Sequence, residues 1–401
     1  MADSKIKLRY RQMKDTIKIH IVDGCPEYIM HKLQTLYKVE INTENPDFIF
    51  YSVFGTEHLK YDCVRIFYTG ENLRADFNFC DYAITFDYLI FEDRHLRYPL
   101  YLFYASFRDI AKREEINNNL SKTQESIQIS DTHKLDTSAP HTMNAKARKY
   151  NLNQKLAKRK FCSFVVSNGK AHSIREEFFK SLSAYKKVDS GGKYKNNIGG
   201  TPIAHKLAFL SEYKFNIAFE NSSTNGYLTE KLFDAKAAHS IPIYWGDPTL
   251  KNAINSIPPP DNNIIWESYK NLEPQLNKKA FINISDFNSI QEAIDFIIFL
   301  DSNDSAYMDM LNEPLLLDTN YATYFDSKLE AFFAHIFSQP KQSAYRRGFG
   351  QWRLNIERRY KKAQKVRTIA NNLIYPFKSS IKTISNLSKT LKAKFRFCFK
   401  S

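Results

Sequence analysis

Apolar residues follow two rhythms along this chain, and their alternation predicts its architecture. Short runs rich in β-branched and aromatic residues occur at IKIHIV (Ile17 to Val22), DFIFYSV (Asp47 to Val53), VRIFYT (Val64 to Thr69) and YAITFDY (Tyr82 to Tyr88). Each predicts a buried strand, and residues Glu27 to Tyr37 place a helical repeat between the first two. After residue 155 the pattern resumes with FCSFVVS (Phe161 to Ser167), a helix from Ser173 to Lys186, a short strand at Lys187 to Asp189 and a helix from His205 to Tyr213. The run FNIAFENSSTNGYLTEKLFDAKAAHSIPIYWGDP, from Phe215 to Pro248, reads as strand, polar loop, helix, strand. A strand FINISDF (Phe281 to Phe287) and a helix through Leu300 follow. Two such successive arrays predict an α/β chain of two Rossmann-like domains with an interdomain cleft.

Polar stretches divide the arrays. From Arg108 to Lys155 the sequence is dominated by Ser, Thr, Asn, Gln and charge, and predicts a surface excursion or a lid leading into a linker. The expected domains are therefore 1–155, 156–340 and a C-terminal tail, 341–401. At 401 residues and 43% hydrophobic content, two buried cores are within reach.

Charge sharpens the division. Residues 341–401 hold 17 of the 58 Lys and Arg and a single acid, Glu357, which leaves 41 bases against 42 acids in residues 1–340. A near-neutral pair of lobes offers no track for a phosphate backbone, so nucleic acid is not an expected partner. In the tail, Phe377, Ile381, Ile384, Leu387, Leu391 and Phe395 recur at helical spacing among Lys378, Lys382, Lys389, Lys392, Lys394 and Arg396. That predicts a basic amphipathic helix able to lie on an anionic bilayer, with a helix docked on the lobes as the plainer alternative. Removal of everything beyond Pro340 is expected to spare the lobes. The N-terminal sequence lacks a signal-peptide core and no stretch is apolar enough to span a bilayer, so the expected location is cytoplasmic, peripheral on the inner face of the membrane. Cys25, Cys63, Cys80, Cys162 and Cys398 form no CxxC pair, and predict neither a disulfide framework nor a zinc site.

The candidate chemistry lies at strand ends. In the 215–248 run, backbone N–H groups at the helix start face the space beyond the preceding strand, a setting that favours an anion such as a diphosphate. Glu230 and Lys231 fall in that first turn; together they suit a phosphorylated sugar, although a carboxylate complementing the helix dipole and a solvated lysine would also account for them. In the first array, the loop TGENLR (Thr69 to Arg74) opens at a strand end and carries Glu71.

Three blocks carry a family likeness: RIFYTGENLRADFNFCDYAITFDY (Arg65 to Tyr88), FCSFVVSNGKAHSIREEFF (Phe161 to Phe179) and the 215–248 run. With them the chain resembles the bacterial α-1,3-fucosyltransferases of the Helicobacter type, which share a signature with animal and plant α-1,3/4 enzymes. The resemblance implies a GT-B glycosyltransferase, with an acceptor sugar on the N-terminal lobe and GDP-fucose on the C-terminal lobe. It implies inverting transfer to O3 of GlcNAc in a Galβ1-4GlcNAc (Lewis-antigen) unit, with type 1 chains and O4 transfer left open. By the same resemblance Glu71 is the general base, Arg175 and Lys231 meet the donor diphosphate, and Asn221, Tyr227 and Glu230 contact the donor; a carboxylate at Glu230 suits either positive charge on the fucose or its hydroxyls. No Asp-x-Asp occurs, and no catalytic metal or other cofactor is expected.

Overall fold

The computed structural model describes residues 16–116, 158–251, 275–318, 321–348 and 350–373. Two parallel sheets organise the molecule. In the first, strands β1 (Thr16–Val22), β2 (Lys38–Ile41), β3 (Phe48–Tyr51), β4 (Val64–Tyr68), β5 (Tyr82–Thr85) and β6 (His95–Arg97) lie in the order β2-β1-β3-β4-β5-β6. In the second, β7 (Lys160–Phe164), β8 (Val188–Ser190), β9 (Tyr213–Phe219), β10 (Ile241–Trp245) and β11 (Ile282–Asn283) lie in the order β11-β10-β9-β7-β8. Every pairing is parallel. The result is the α/β, GT-B-like pair of sheets that the apolar runs predict.

Burial explains the strand sequences. All five residues of β4 and all seven of β9 are buried, as expected where helices cover both faces of a parallel sheet. The helices take their faces from i, i+4 apolar pairs: Ile29 and Leu33 in Glu27–Leu36, Phe178 and Leu182 in Ile174–Tyr185. Two edge strands escape the sequence reading. β2 is KVEI, largely exposed, and β6 is HLR, so neither carries a continuous apolar run. The strand FINISDF shrinks to Ile282–Asn283, because the Asn283 side chain accepts a hydrogen bond from the Ser285 N–H (3.2 Å) and turns the chain into a 3-10 helix. The polar excursion opens with a helix, 105–116, that buries Phe107 and Ile110. Its Glu114 carboxylate accepts from the N–H groups of Leu315 (2.7 Å) and Leu316 (2.9 Å). The rest of that segment lies outside the described residues.

Chain order and packing part company after residue 320. Helix Tyr321–Phe337 packs on the first sheet, with Phe333 against Phe50 (ring centroids 6.2 Å), Phe337 against Phe48 (4.7 Å) and Phe332 against Tyr82 (5.9 Å). The first part of the basic tail follows it. Arg347 forms an ion pair with Asp81 in which both side chains are fully buried, and Arg65 donates to the Glu357 carboxylate at 2.8 Å. Tyr345 donates to Asp62 (2.9 Å) and Arg346 to Asp93 (2.7 Å). Residues 341–361 are thus bolted to the first lobe, which corrects the expectation that everything beyond Pro340 is dispensable to it. The amphipathic pattern from Pro376 onward lies outside the described residues. Among those described, no helix is long and apolar enough to cross a membrane.

Candidate active site

The loops after β4 and β9, at the carboxyl ends of their strands, meet across the cleft between the two sheets through Asn72, Ser222 and Thr224, and the second sheet reverses its strand order between β7 and β9, where ligands of open α/β sheets collect. Arg175 lies at that point. It sits in the first turn of helix Ile174–Tyr185 and is only 2% exposed. Its guanidinium donates to the Phe219 carbonyl (2.7 Å) at the end of β9 and to Asn221 Oδ1 (3.0 Å), which holds both side chains at the cleft. Burial pulls Arg175 down from its ordinary value, with Glu220 opposing; a guanidinium stays charged regardless. Its Nε is buried without a hydrogen-bond partner among the described residues.

Lys231 reaches the same strand end. Its ammonium donates to Glu220 (2.7 Å) and to Thr229 Oγ1 (2.9 Å), and lies 3.9 Å from Glu230 Oε1. Burial alone would push the ammonium down, but Glu220 and then Glu230 outweigh it and hold it charged. Arg175 lies within its field. Glu220 is fully buried and also accepts from the Thr229 N–H (2.8 Å) and hydroxyl. Thr229, at the N-cap of helix Glu230–Ala237, therefore spends its side chain on Glu220 rather than on the helix. Glu220 went unremarked in the sequence, although a lone carboxylate closing an apolar strand was a visible signal.

The first lobe contributes Glu71 from the loop after β4. Thr69 shapes this loop: its hydroxyl accepts from the Glu71 N–H (3.0 Å) and donates to the Glu71 carbonyl (3.1 Å), leaving the side chain exposed. The next residue crosses the cleft. Asn72 Nδ2 donates to Ser222 Oγ (2.6 Å) and Thr224 Oγ1 (2.8 Å), both in the loop after β9. Nothing in the sequence singled out Asn72, because a contact across 150 residues leaves no local pattern.

Electrostatics place the carboxylates in one space. Burial raises the Tyr104 hydroxyl above its ordinary value, and Glu230, Glu220, Asp234 and Glu71 add to the effect in that order. Tyr227 is raised in the same way, by burial first and then by Glu220, Glu71 and Glu230. Tyr227 is 2% exposed, its ring packed against Phe86 of the first lobe at 5.1 Å, so it reaches the site as part of the junction between the lobes. Tyr244 is fully buried in β10, and Trp245 lies between His172 (4.8 Å) and Phe219 (6.2 Å). The six predicted site residues, Glu71, Arg175, Asn221, Tyr227, Glu230 and Lys231, thus line or adjoin one cleft.

That junction has a test. Gly226, before Tyr227, has φ +81°, and a Cβ there would stand 2.7 Å from the Phe86 carbonyl and 2.9 Å from Arg97 Nη1. Gly226→Ala is expected to cost about 1–3 kcal/mol. Urea denaturation measures it; an unchanged midpoint would show that the lobes do not meet there.

Comparison with known proteins identifies the family. The family model for the α-(1,3)-fucosyltransferase FucT N-terminal domain matches residues 17–104, and that for the glycosyltransferase family 10 (fucosyltransferase) C-terminal region matches residues 155–274. An α-(1,3)-fucosyltransferase of Helicobacter pylori is 35% identical over 322 residues, 77% of this chain; the match spans 61% of that relative's own length. A crystal structure of an α1,3-fucosyltransferase superposes with a TM-score of 0.61 at 31% identity, covering 84% of this chain and 94% of the other. Another, of an α1,3-fucosyltransferase with GDP-fucose, gives a TM-score of 0.57 at 30% identity over 82% of this chain and 92% of the other.

Proposed function

Since the chain belongs to the family 10 fucosyltransferases, we propose that it is an inverting α-1,3-fucosyltransferase, moving L-fucose from GDP-fucose to O3 of GlcNAc in N-acetyllactosamine-type glycans. The observation that carries the reading is the Asn72 bridge to Ser222 and Thr224, which draws the loop of Glu71 against the loop that leads to Glu230 and Lys231.

In this mechanism the acceptor hydroxyl attacks the anomeric carbon from the face opposite the diphosphate. Glu71 takes the hydroxyl proton as the new C–O bond forms, since an unassisted sugar alcohol is a poor nucleophile. The bond to the diphosphate breaks, and GDP leaves with added negative charge. Arg175 and Lys231 meet that charge from fixed positions, so little reorganisation is needed as it develops. Arg175 Nε, buried without a partner among the described residues, is a donor that a phosphate oxygen would satisfy. Glu230 balances the positive charge that grows on the fucosyl ring, while Asn221 and Tyr227 orient the nucleotide.

We assign residues 1–155 to the acceptor and 156–340 to the donor, with helix Tyr321–Phe337 returning to the first lobe. Residues 374–401 are assigned to the inner face of an anionic membrane. The transfer chemistry uses protein groups for the leaving charge and no metal.

The test is transfer from GDP-fucose to N-acetyllactosamine in EDTA, read by mass spectrometry, beside calorimetric titration with GDP-fucose and GDP-mannose. Product at the expected mass and tighter binding of GDP-fucose are expected. Preference for GDP-mannose would defeat the donor assignment, and dependence on added metal would defeat the assignment of the leaving charge to Arg175 and Lys231.

A further inference from the structure

We infer that Lys206 is a positioning residue of this site, its ammonium forming with that of Lys231 a two-sided clamp on the Glu230 carboxylate. The inference rests on the proposed function for the role of Glu230, but the clamp itself does not.

Two cations flank one oxygen. Glu230 Oε1 lies 3.9 Å from the Lys231 ammonium and 4.0 Å from that of Lys206. Lys231 belongs to the same helix, whereas Lys206 comes from the separate short helix Lys206–Leu210. An exposed lysine at 4 Å would swing free, since ordering its long side chain costs more than a weak contact returns. This one is anchored, because its ammonium bonds Asp234 Oδ2 at 2.6 Å.

The anchor also answers a problem in the helix. Glu230 and Asp234 stand four residues apart on one face, where like charges repel. Lys206 sits against both carboxylates, and its side chain is only 34% exposed. Among the described residues the other groups facing Glu230 are Glu220 at the end of β9, Thr229 and Tyr227 beside it and, from the first lobe, Tyr68 and Tyr104, none of them a cation. Burial works against the ionised form of Glu230, but Lys231 and then Lys206 outweigh it and hold the carboxyl below its ordinary range. Without Lys206, a half-buried carboxylate beside Glu220 and Asp234 loses one of its two compensating charges. It then takes up a proton more readily, and a protonated Glu230 cannot balance positive charge on the sugar.

The test titrates Glu230 directly in full-length protein labelled with 13C at glutamate Cδ, its resonance assigned by its loss in Glu230→Gln. Lys206→Met and, as a second neutral variant, Lys206→Gln are expected to move the Glu230 midpoint up by about one pH unit, and Lys206→Arg to restore it. In transfer assays both neutral variants are expected to move the acid limb of the kcat profile up by about one pH unit, so that kcat falls about tenfold below that limb and little at neutral pH, with KM for GDP-fucose within about threefold of wild type. An unmoved midpoint in both neutral variants would overturn the clamp. So would a raised KM with an unmoved kcat profile, which would make Lys206 a donor-binding residue instead. Wild-type protein that leaves GDP-fucose untouched would refute the transferase reading while leaving the titration result standing.

Discussion

Glu71→Gln is expected to lower kcat by about 10²-fold or more while leaving GDP-fucose binding intact. The carboxamide keeps the shape of the side chain but cannot accept the proton of the attacking hydroxyl, and general base assistance contributes on the order of 10²- to 10⁴-fold. The two halves of the expectation come from different lobes. Glu71 extends from the first-lobe loop shaped by Thr69, whereas Arg175 and Lys231 stand at the end of β9. Single-turnover kinetics and calorimetry separate them: a variant that turns over near the wild-type rate removes Glu71 from its role, and one that loses the donor shows that the loop shapes the second lobe's pocket.

The second large effect concerns stability. Truncation after Pro340 is expected to unfold or aggregate the protein at moderate temperature, whereas truncation after Leu373 keeps the buried pairs of Arg347 and Glu357 and avoids that loss. The shorter product strips Arg347 from Asp81 and Glu357 from Arg65, and these side chains are at most 8% exposed. Removing one partner of a buried pair leaves an uncompensated charge and costs about 3–5 kcal/mol, a large share of a domain's stability. Arg347→Met isolates the effect. Asp81 keeps hydrogen bonds from the N–H groups of Arg65, Arg346 and Arg347, so the loss is expected near the lower end, about 3 kcal/mol. Equal urea midpoints for Arg347→Met and wild type would sink this account.

Most of the fold was legible because parallel strands buried on both faces have to be apolar throughout. VRIFY and FNIAF announce themselves, and so do the helices built on pairs such as Phe178 and Leu182, although β9 begins at Tyr213, which the sequence pattern puts in the preceding helix. What escaped was short or polar. The edge strands KVEI and HLR need no apolar run, and the Asn283 turn is a side-chain hydrogen bond rather than a periodicity. The site divides in the same way. Arg175, Glu230 and Lys231 sit at the starts of helices that follow strands, where local pattern and family likeness both point. Asn72 and Lys206 act across the fold, by contacts that exist only once distant segments have met. The start of the tail escaped for a related reason: composition set residues 341–401 apart from the lobes, but their one acid, Glu357, is buried against Arg65.

The return of the chain to its starting lobe bears on how the protein is made. Arg65 and Glu357 are 292 positions apart, and the aromatic lid over Phe48 and Phe50 comes from residues beyond 330. A lobe made of one continuous stretch can settle as it leaves the ribosome; this one waits, part of its sheet uncovered, until residues 321–361 have emerged. The lobe that is translated first is the one that finishes last, and slow synthesis of the second lobe prolongs its exposure to chaperones and to aggregation.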